Sequence, residues 1–287
     1  MTVRIGTVRV AALLLIIALL AIACGSDAST TEASTGDQPS TPEAPTASPS
    51  PTEAPASQEA EKSEDTAGGW TVEHKFGEAL MKQPPERVVT IGFSEQDPVL
   101  ALGVTPIAVR EWFGGFDYAT WPWAQDELAD GTPQVLEVAF GELNYEVIAS
   151  LQPDLIVATH AGITQDEYDL LSALAPTIAE TADVPPFGMS WQAQTQMIGD
   201  ALGRSDDARQ AIAVVEAAIL DTARTYDDFS GATFAWANPT GEGTYWVVGD
   251  STPPMQFLQE LGLQYPDDLR AVVGDADSFE LSSEQVA

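Results

Sequence analysis

The sequence predicts an α/β protein with two Rossmann-like lobes bridged by a long helix and a ligand cleft between them. Three observations predict it. Short β-branched runs such as "RVVTIGF", from Arg87, read as parallel strands buried on both faces. Single helical segments separate those runs through short loops, the pattern of a parallel sheet. A much longer helical stretch, about 191–226, then divides this alternation from a second group of strands.

The elements follow in order. Ser94 is placed to cap a helix running to about Leu102, and "GVTP" ends it before the strand "IAVRE". "LNYEVIASL" reads as a helix, "PDLIVAT" as a strand closed by His160, Ala161 and Gly162, "TQDEYDLLSALA" as a helix and "TIAE" as a short strand. The long helical stretch is interrupted near Gly203. After it "ATFAWANP" and "TYWVVGD" read as strands and "PPMQFLQELGL" as a helix. The first lobe is thus set at 70–189, the bridging helical region at 190–229 and the second lobe at 230–287. "LNYEVIASLQPDLIV" is echoed at the end of the chain by "ELSSEQVA", each placing a glutamate, Glu146 or Glu284, one turn before apolar helical residues. The first copy runs on into a strand and the second stops, so the second lobe is expected to be incomplete.

The residues before the first lobe belong to no fold. Residues 1–23 carry Arg4 and Arg9, then an apolar run from Val10 to Ala23 that is short for a bilayer and ends in small residues, as a signal peptide does. Ala21-Ile22-Ala23-Cys24 resembles a bacterial lipobox, with alanine in place of the usual leucine. Cys24 is the only cysteine of the 287 residues, which excludes an internal disulfide and favours a thioether-linked lipid. Each buried CH₂ of such an anchor contributes ~0.8 kcal/mol. The rest of 24–69 is rich in Ser, Thr, Pro, Ala and Glu and cannot bury enough surface to offset its ordering entropy. It reads as a disordered tether spanning roughly 35 Å as a random coil.

The formal net charge is -33, and only nine Lys or Arg remain once Arg4 and Arg9 leave with the signal. Nucleic acid is excluded as a partner by that balance, because phosphate neutralisation needs a basic surface. The acidity suits a soluble body in an extracytoplasmic compartment.

Six aromatics occupy the twelve positions from Trp112 to Trp123, at 112, 113, 116, 118, 121 and 123, broken by Gly114, Gly115 and Pro122. That spacing fits neither a helix nor a strand. The segment follows Arg110 and Glu111 at the end of the second strand, and in an open α/β sheet the ligand crevice lies beyond the carboxyl ends of the strands. Ser94, Glu95 and His160 fall at strand ends facing the same crevice. Trp121 and Trp123 serve equally well as contacts or as anchors of the loop.

Taken together, "PERVVTIGFSEQDPVLALGVTPIAV", "WPWAQDEL", "NYEVIASLQPDLIVATHAGIT", "LSALAPTIAE" and "IGDALGRSDDA" resemble iron–siderophore substrate-binding lipoproteins of ABC importers, of the actinobacterial kind, from about Trp70 to the last residue. The resemblance implies two rigid lobes, a helical hinge, modest closure and a shallow cleft for a ferric chelate delivered to a permease and its ATPase. It implies a monomer held at the membrane by lipid on Cys24, outside the cytoplasm. Family members continue past "ELSSEQ" with further elements of the second lobe.

On that reading Arg110, Trp112, Phe113 and Tyr118 contact ligand from the first lobe, and Trp191, Trp236 and Tyr245 from the other side. Aromatic faces match flat catechol or hydroxamate groups at low entropy cost, and a guanidinium stacks or forks onto chelate oxygens. A surface salt bridge is the plainer role for Arg110. Glu146 and Glu284 match the glutamates with which relatives dock on the permease. The iron arrives wrapped by its chelator, so no metal ligands, cofactor or catalytic residues are expected. Direct zinc or manganese binding needs a cluster of ligands, and the only histidines are His74, read as preceding the folded body, and His160. Haem or a corrinoid is the alternative ligand. An enzyme finds no support: GxSxG, HExxH and P-loop patterns are absent, and "GEGT" at 241–244 is too short to cradle phosphate.

Overall fold

A computed structural model describes residues 68–286 apart from 113, 138–142, 242, 275 and 277. The signal segment, Cys24, the tether and Phe113 therefore lie outside the described residues.

The first lobe is built on a five-stranded parallel sheet of order β5-β4-β3-β6-β7. Its strands are β3 (Val88–Thr90), β4 (Ala108–Arg110), β5 (Gln134–Leu136), β6 (Leu155–Ala158) and β7 (Thr177–Ala179). Helices α1 (Gln96–Ala101), α2 (Tyr145–Ser150) and α3 (Gln165–Ser172) connect them. Successive strand residues point to opposite faces, and each face is covered. Val88, Leu155, Val157 and Ile178 pack with Val99 of α1 on one side; Val89, Ile156 and Ala158 pack with Ile148 of α2 and Leu171 of α3 on the other. Asn144 caps α2 by accepting from Val147 N at 3.0 Å, and Thr164 with Glu167 forms a capping box on α3.

An element the sequence reading did not resolve precedes this sheet. Strands β1 (Trp70–His74) and β2 (Gly77–Met81) form an antiparallel hairpin whose Val72, Ala79 and Met81 join the first-lobe core. His74 is consequently part of the fold, not a residue before it. It is buried at an inward position of β1 beside Tyr168 of α3, with ring centroids 5.1 Å apart.

The long helical stretch is two helices, α4 (Trp191–Ala201) and α5 (Ser205–Thr225). They break at Gly203, whose φ of 69° lies in the left-handed region open to glycine. Met197, Ile198, Ala201 and Leu202 fix α4 to the first lobe, and Trp70 Nε1 donates to Asp200 O at 2.6 Å. Helix α5 packs along α4 and reaches α6 (Pro253–Glu260) through Ile219, Phe257 and Leu261.

The second lobe holds an antiparallel sheet of order β10-β9-β8, from β8 (Ala237–Gly241), β9 (Thr244–Val248) and β10 (Ser278–Ser282). The expected strand "ATFAWANP" is displaced: its start, around Thr233 and Phe234, makes only an isolated parallel bridge to Gln264, and the regular strand starts at Ala237. Two residues between β8 and β9 leave room for a hairpin and none for the crossover a parallel pair needs. After α6 come α7 (Asp267–Val273), β10 and the short α8 (Ser283–Val286). Among the described residues no helix is long and apolar enough to cross a membrane.

Candidate functional site

In the sheet order β5-β4-β3-β6-β7 the chain steps outward from β3 in one direction, then returns to β6 and steps the other way. The connections after β3 and β6 therefore diverge, and a crevice at such a switch point is where open α/β sheets bind ligands. The two loops are stitched together. Ile91 N donates to Val157 O at 3.0 Å and Phe93 N to His160 O at 3.3 Å. The Glu95 carboxylate accepts from His160 N at 2.7 Å and from Ser94 N at 3.2 Å. Glu95 is fully buried, and burial pushes its pKa up to about 7 against the lowering effect of those bonds and of Arg110. Its inward turn also displaces the expected cap: Glu95, not Ser94, is the N-cap of α1, and no side chain caps that helix.

Arg110 ends β4 and is 7% exposed, so the surface salt bridge considered for it does not apply. Its Nη1 donates to Ile91 O at 3.1 Å and its guanidinium lies 4.5 Å from the Phe93 ring centroid. Its Nε is buried without a hydrogen-bond partner among the described residues. Burial lowers the Arg110 pKa while Glu95 and Glu167 raise it; a guanidinium stays charged under such opposed shifts.

Aromatic rings surround this cation. Phe93 meets Trp112 at 4.9 Å and stacks on Phe187 at 5.8 Å, and Phe187 stands edge-on to His160 at 5.3 Å. Burial lowers the His160 pKa to about 4, so the ring is neutral at pH 7. Phe187 is 38% exposed and its own φ is 64°. It lies against Gly162, where an added Cβ would come within 2.5 Å of the ring.

The rest of the aromatic segment divides. Tyr118 is exposed and, with Ala119, has a left-handed backbone, φ 57° and 52°, in a short 3₁₀ turn. Gln125 Nε2 pins that turn by donating to Asp117 O at 2.9 Å and to Thr120 O. Beyond it, Phe116 meets Trp121 at 4.7 Å, and Trp121 stacks on Trp123 at 4.9 Å and 15°. Trp123 packs on Leu100, Ala124 and Leu128 and donates Nε1 to Asp97 at 3.1 Å. Trp123 thus ties this turn to α1. Asp97 is half-buried with its carboxylate enclosed, and that burial raises its pKa to about 6, opposed by the Trp123 bond.

The second-lobe candidates occupy other surroundings. Trp191 packs with Ile219, Phe257 and Leu261, and Gln192 beside it donates to Glu260 at 2.7 Å. Trp236 packs with Val248, Met255 and Tyr265. Their apolar rings bridge helix to helix and strand to helix. Tyr245 sits half-buried on β9 opposite Leu281 of β10 and Pro239 of β8. Glu146 and Glu284 are exposed, each in the first turn of its helix, α2 and α8. Among the described residues no group of three or more His, Cys, Asp and Glu is placed to hold a metal ion.

Phe93 and Phe187 are not among the residues the sequence marks. The first stands at the end of an apolar strand run. The second stands in "PPFGM" after β7, and an aromatic between prolines and glycine in a strand-end loop was the available signal.

A parallel sheet with a stitched switch point, a helical bridge and a second lobe make up the two-lobed fold of solute-binding proteins. Residues 88–285 match the periplasmic binding protein family, and the chain belongs to it. A periplasmic solute binding protein from Mycobacterium smegmatis is 38% identical, with a TM-score of 0.65 and 69% of each chain covered. The PiaA protein of Streptococcus pneumoniae in complex with ferrichrome is 26% identical, with a TM-score of 0.67 and 75% of this chain and 74% of that one covered. An Fe(3+)-citrate-binding protein of Bacillus subtilis is 28% identical over 153 residues, 50% of this chain and 44% of the relative. The chain spans about half the length of the curated relatives it matches.

Proposed function

We propose that this chain captures a ferric siderophore outside the cytoplasm and hands it, as a monomer, to an ABC permease and its ATPase. The observation that carries the reading is Arg110: a buried guanidinium stacked on Phe93, with an unpaired Nε, among the rings of Trp112 and Phe187 at the switch point. A chelate of iron offers the flat faces and negative oxygens that such a group recognises. The binding of ferrichrome and of ferric citrate by relatives supports the ligand class.

Arg110, Trp112 and Tyr118 form the binding wall, with Phe93 and Phe187 added to it and Phe113 next in sequence. Trp191 and Trp236 act as scaffold, and Tyr245 is the remaining second-lobe contact. The site binds and does not turn over its ligand. Exposed first-turn glutamates, Glu146 and Glu284, dock on the permease, and lipid on Cys24 anchors the protein to the membrane.

Tryptophan-fluorescence titration with ferric hydroxamate, catecholate and citrate complexes tests the reading. Saturable quenching without a chemically altered chelate is expected, with Arg110→Ala weakening it at least about tenfold, the scale of one charge-assisted hydrogen bond. Quenching by haem or a corrinoid alone, or by nothing in the panel, overturns it.

A further inference from the structure

We infer that the site selects ferric chelates of near-zero net charge, of the tris-hydroxamate type, over polyanionic ones such as tris-catecholates. The inference rests on the ferric-chelate reading above and narrows it.

The argument is a charge inventory of the carboxyl ends of the parallel strands. From Gly68 onward the chain has eight Lys and Arg. Two of them stand at that end of the sheet. Arg110 is one. Lys75 is the other, and it is spent on Glu180 after β7, Nζ to Oε1 at 2.5 Å. Arg87 lies at the opposite, amino end, bound to the carbonyls of Leu151 and Gln152, and Lys82 follows β2 of the hairpin. The others belong to the helical bridge, as Arg204, Arg209 and Arg224, or to the second lobe, as Arg270.

Against the single available guanidinium stand acidic groups. Glu95 and Glu167 are close enough to act on Arg110 electrostatically, and Glu111, the next residue along, is half-buried. Because burial raises the Glu95 pKa to about 7, its charge is only partly expressed at neutral pH. This first-lobe wall therefore sums to near zero or below, inside a chain of formal charge -33. Three hydroxamates, each a monoanion, neutralise ferric iron. Three catecholates, each a dianion, leave a trianion, which needs a cluster of cations that this end of the sheet does not supply. A neutral chelate needs the apolar rings and one guanidinium on its oxygens, the set that is present.

The test compares the full chain, by tryptophan quenching, with ferrichrome, a ferric tris-catecholate and ferric citrate at low and at physiological salt. Ferrichrome is expected to bind at least tenfold more tightly than either anion, with less than a twofold change between the two salt conditions. Glu111→Gln should improve binding of the tris-catecholate severalfold and leave ferrichrome within twofold. A tris-catecholate that binds as tightly as ferrichrome, with an affinity that falls as salt rises, overturns the inference while leaving the ferric-chelate reading intact. Binding of none of the three chelates overturns both.

Discussion

In the first lobe β3, β4, β6 and β7 are buried along their whole length, whereas in the second lobe β8 has no buried residue and β10 buries only Leu281. The difference follows from strand direction. A parallel sheet must be covered on both faces by its own crossover helices, while an antiparallel hairpin closes locally and leaves a face uncovered. Trp246 and Phe279, 41% and 42% exposed, show the result. The lobe with the fully buried strands is also the one that carries Arg110 and its rings, so these groups are mounted on the better-packed frame.

The largest expected effect breaks the frame itself. Ile156, in the central part of the parallel sheet, is fully buried between α2 and α3, and Ile156→Ala should cost about 3–4 kcal/mol of unfolding free energy. Phe279→Ala should cost less than about 1 kcal/mol, because so much of that ring is already in water. Urea titration of both variants checks the contrast, and equal losses would remove it.

A smaller effect, on the order of 1–3 kcal/mol, comes from the burial of Glu95 at the switch point, which outweighs the hydrogen bonds it accepts there. The folded state holds the Glu95 proton more tightly than the unfolded chain, at about 7 against 4.5. Its contribution is therefore complete below pH 4.5 and is lost as pH rises towards 7. Asp97 acts in the same direction, and His160, lowered to about 4, acts in the opposite one. Glu95→Gln measured against the parent protein isolates one group. The variant should gain relative stability between pH 5 and pH 8 in thermal melts; a constant difference would show that the carboxyl does not titrate in that range.

What the sequence made legible follows the same division. Strands buried on both faces are continuous apolar runs, so "RVVTIGF" and "PDLIVAT" could be located without a structure. The hairpin β1–β2 could not, because its inward positions include His74 and Ala79 and its alternation is weak. In the site, Arg110 and Trp112 were legible as residues at a strand end. Phe187 was not, since its place depends on its own left-handed backbone and on Gly162 across a loop. Trp191 and Trp236 show the converse limit. Residue type marks them as candidates for a wall, but only the tertiary structure shows the apolar clusters they join.

Loss of the Asp97 bond should be felt in the aromatic segment at about 1–2 kcal/mol. Trp123→Phe keeps the ring on Leu100 and Leu128 but leaves a buried carboxylate without its donor. Thermal unfolding should report the loss. Ferrichrome affinity should change by less than threefold if "WPW" is an anchor; a tenfold change would assign Trp123 to ligand contact.

The smallest effect lies at the junction of the two regions. Gly203→Ala places a Cβ at a φ of 69° and 3.3 Å from the Trp70 ring, which the hairpin presents to the bridge. The conformational penalty is about 1 kcal/mol, and the Trp70 ring has to give by a few tenths of an ångström. That penalty falls on the segment joining the lobes and not on the Arg110 group. The variant should therefore unfold a few degrees earlier, with ferrichrome quenching unchanged within twofold. A change in affinity larger than the change in stability would mean that the ligand site depends on the angle of the bridge, and that the two regions do not act as frame and attachment.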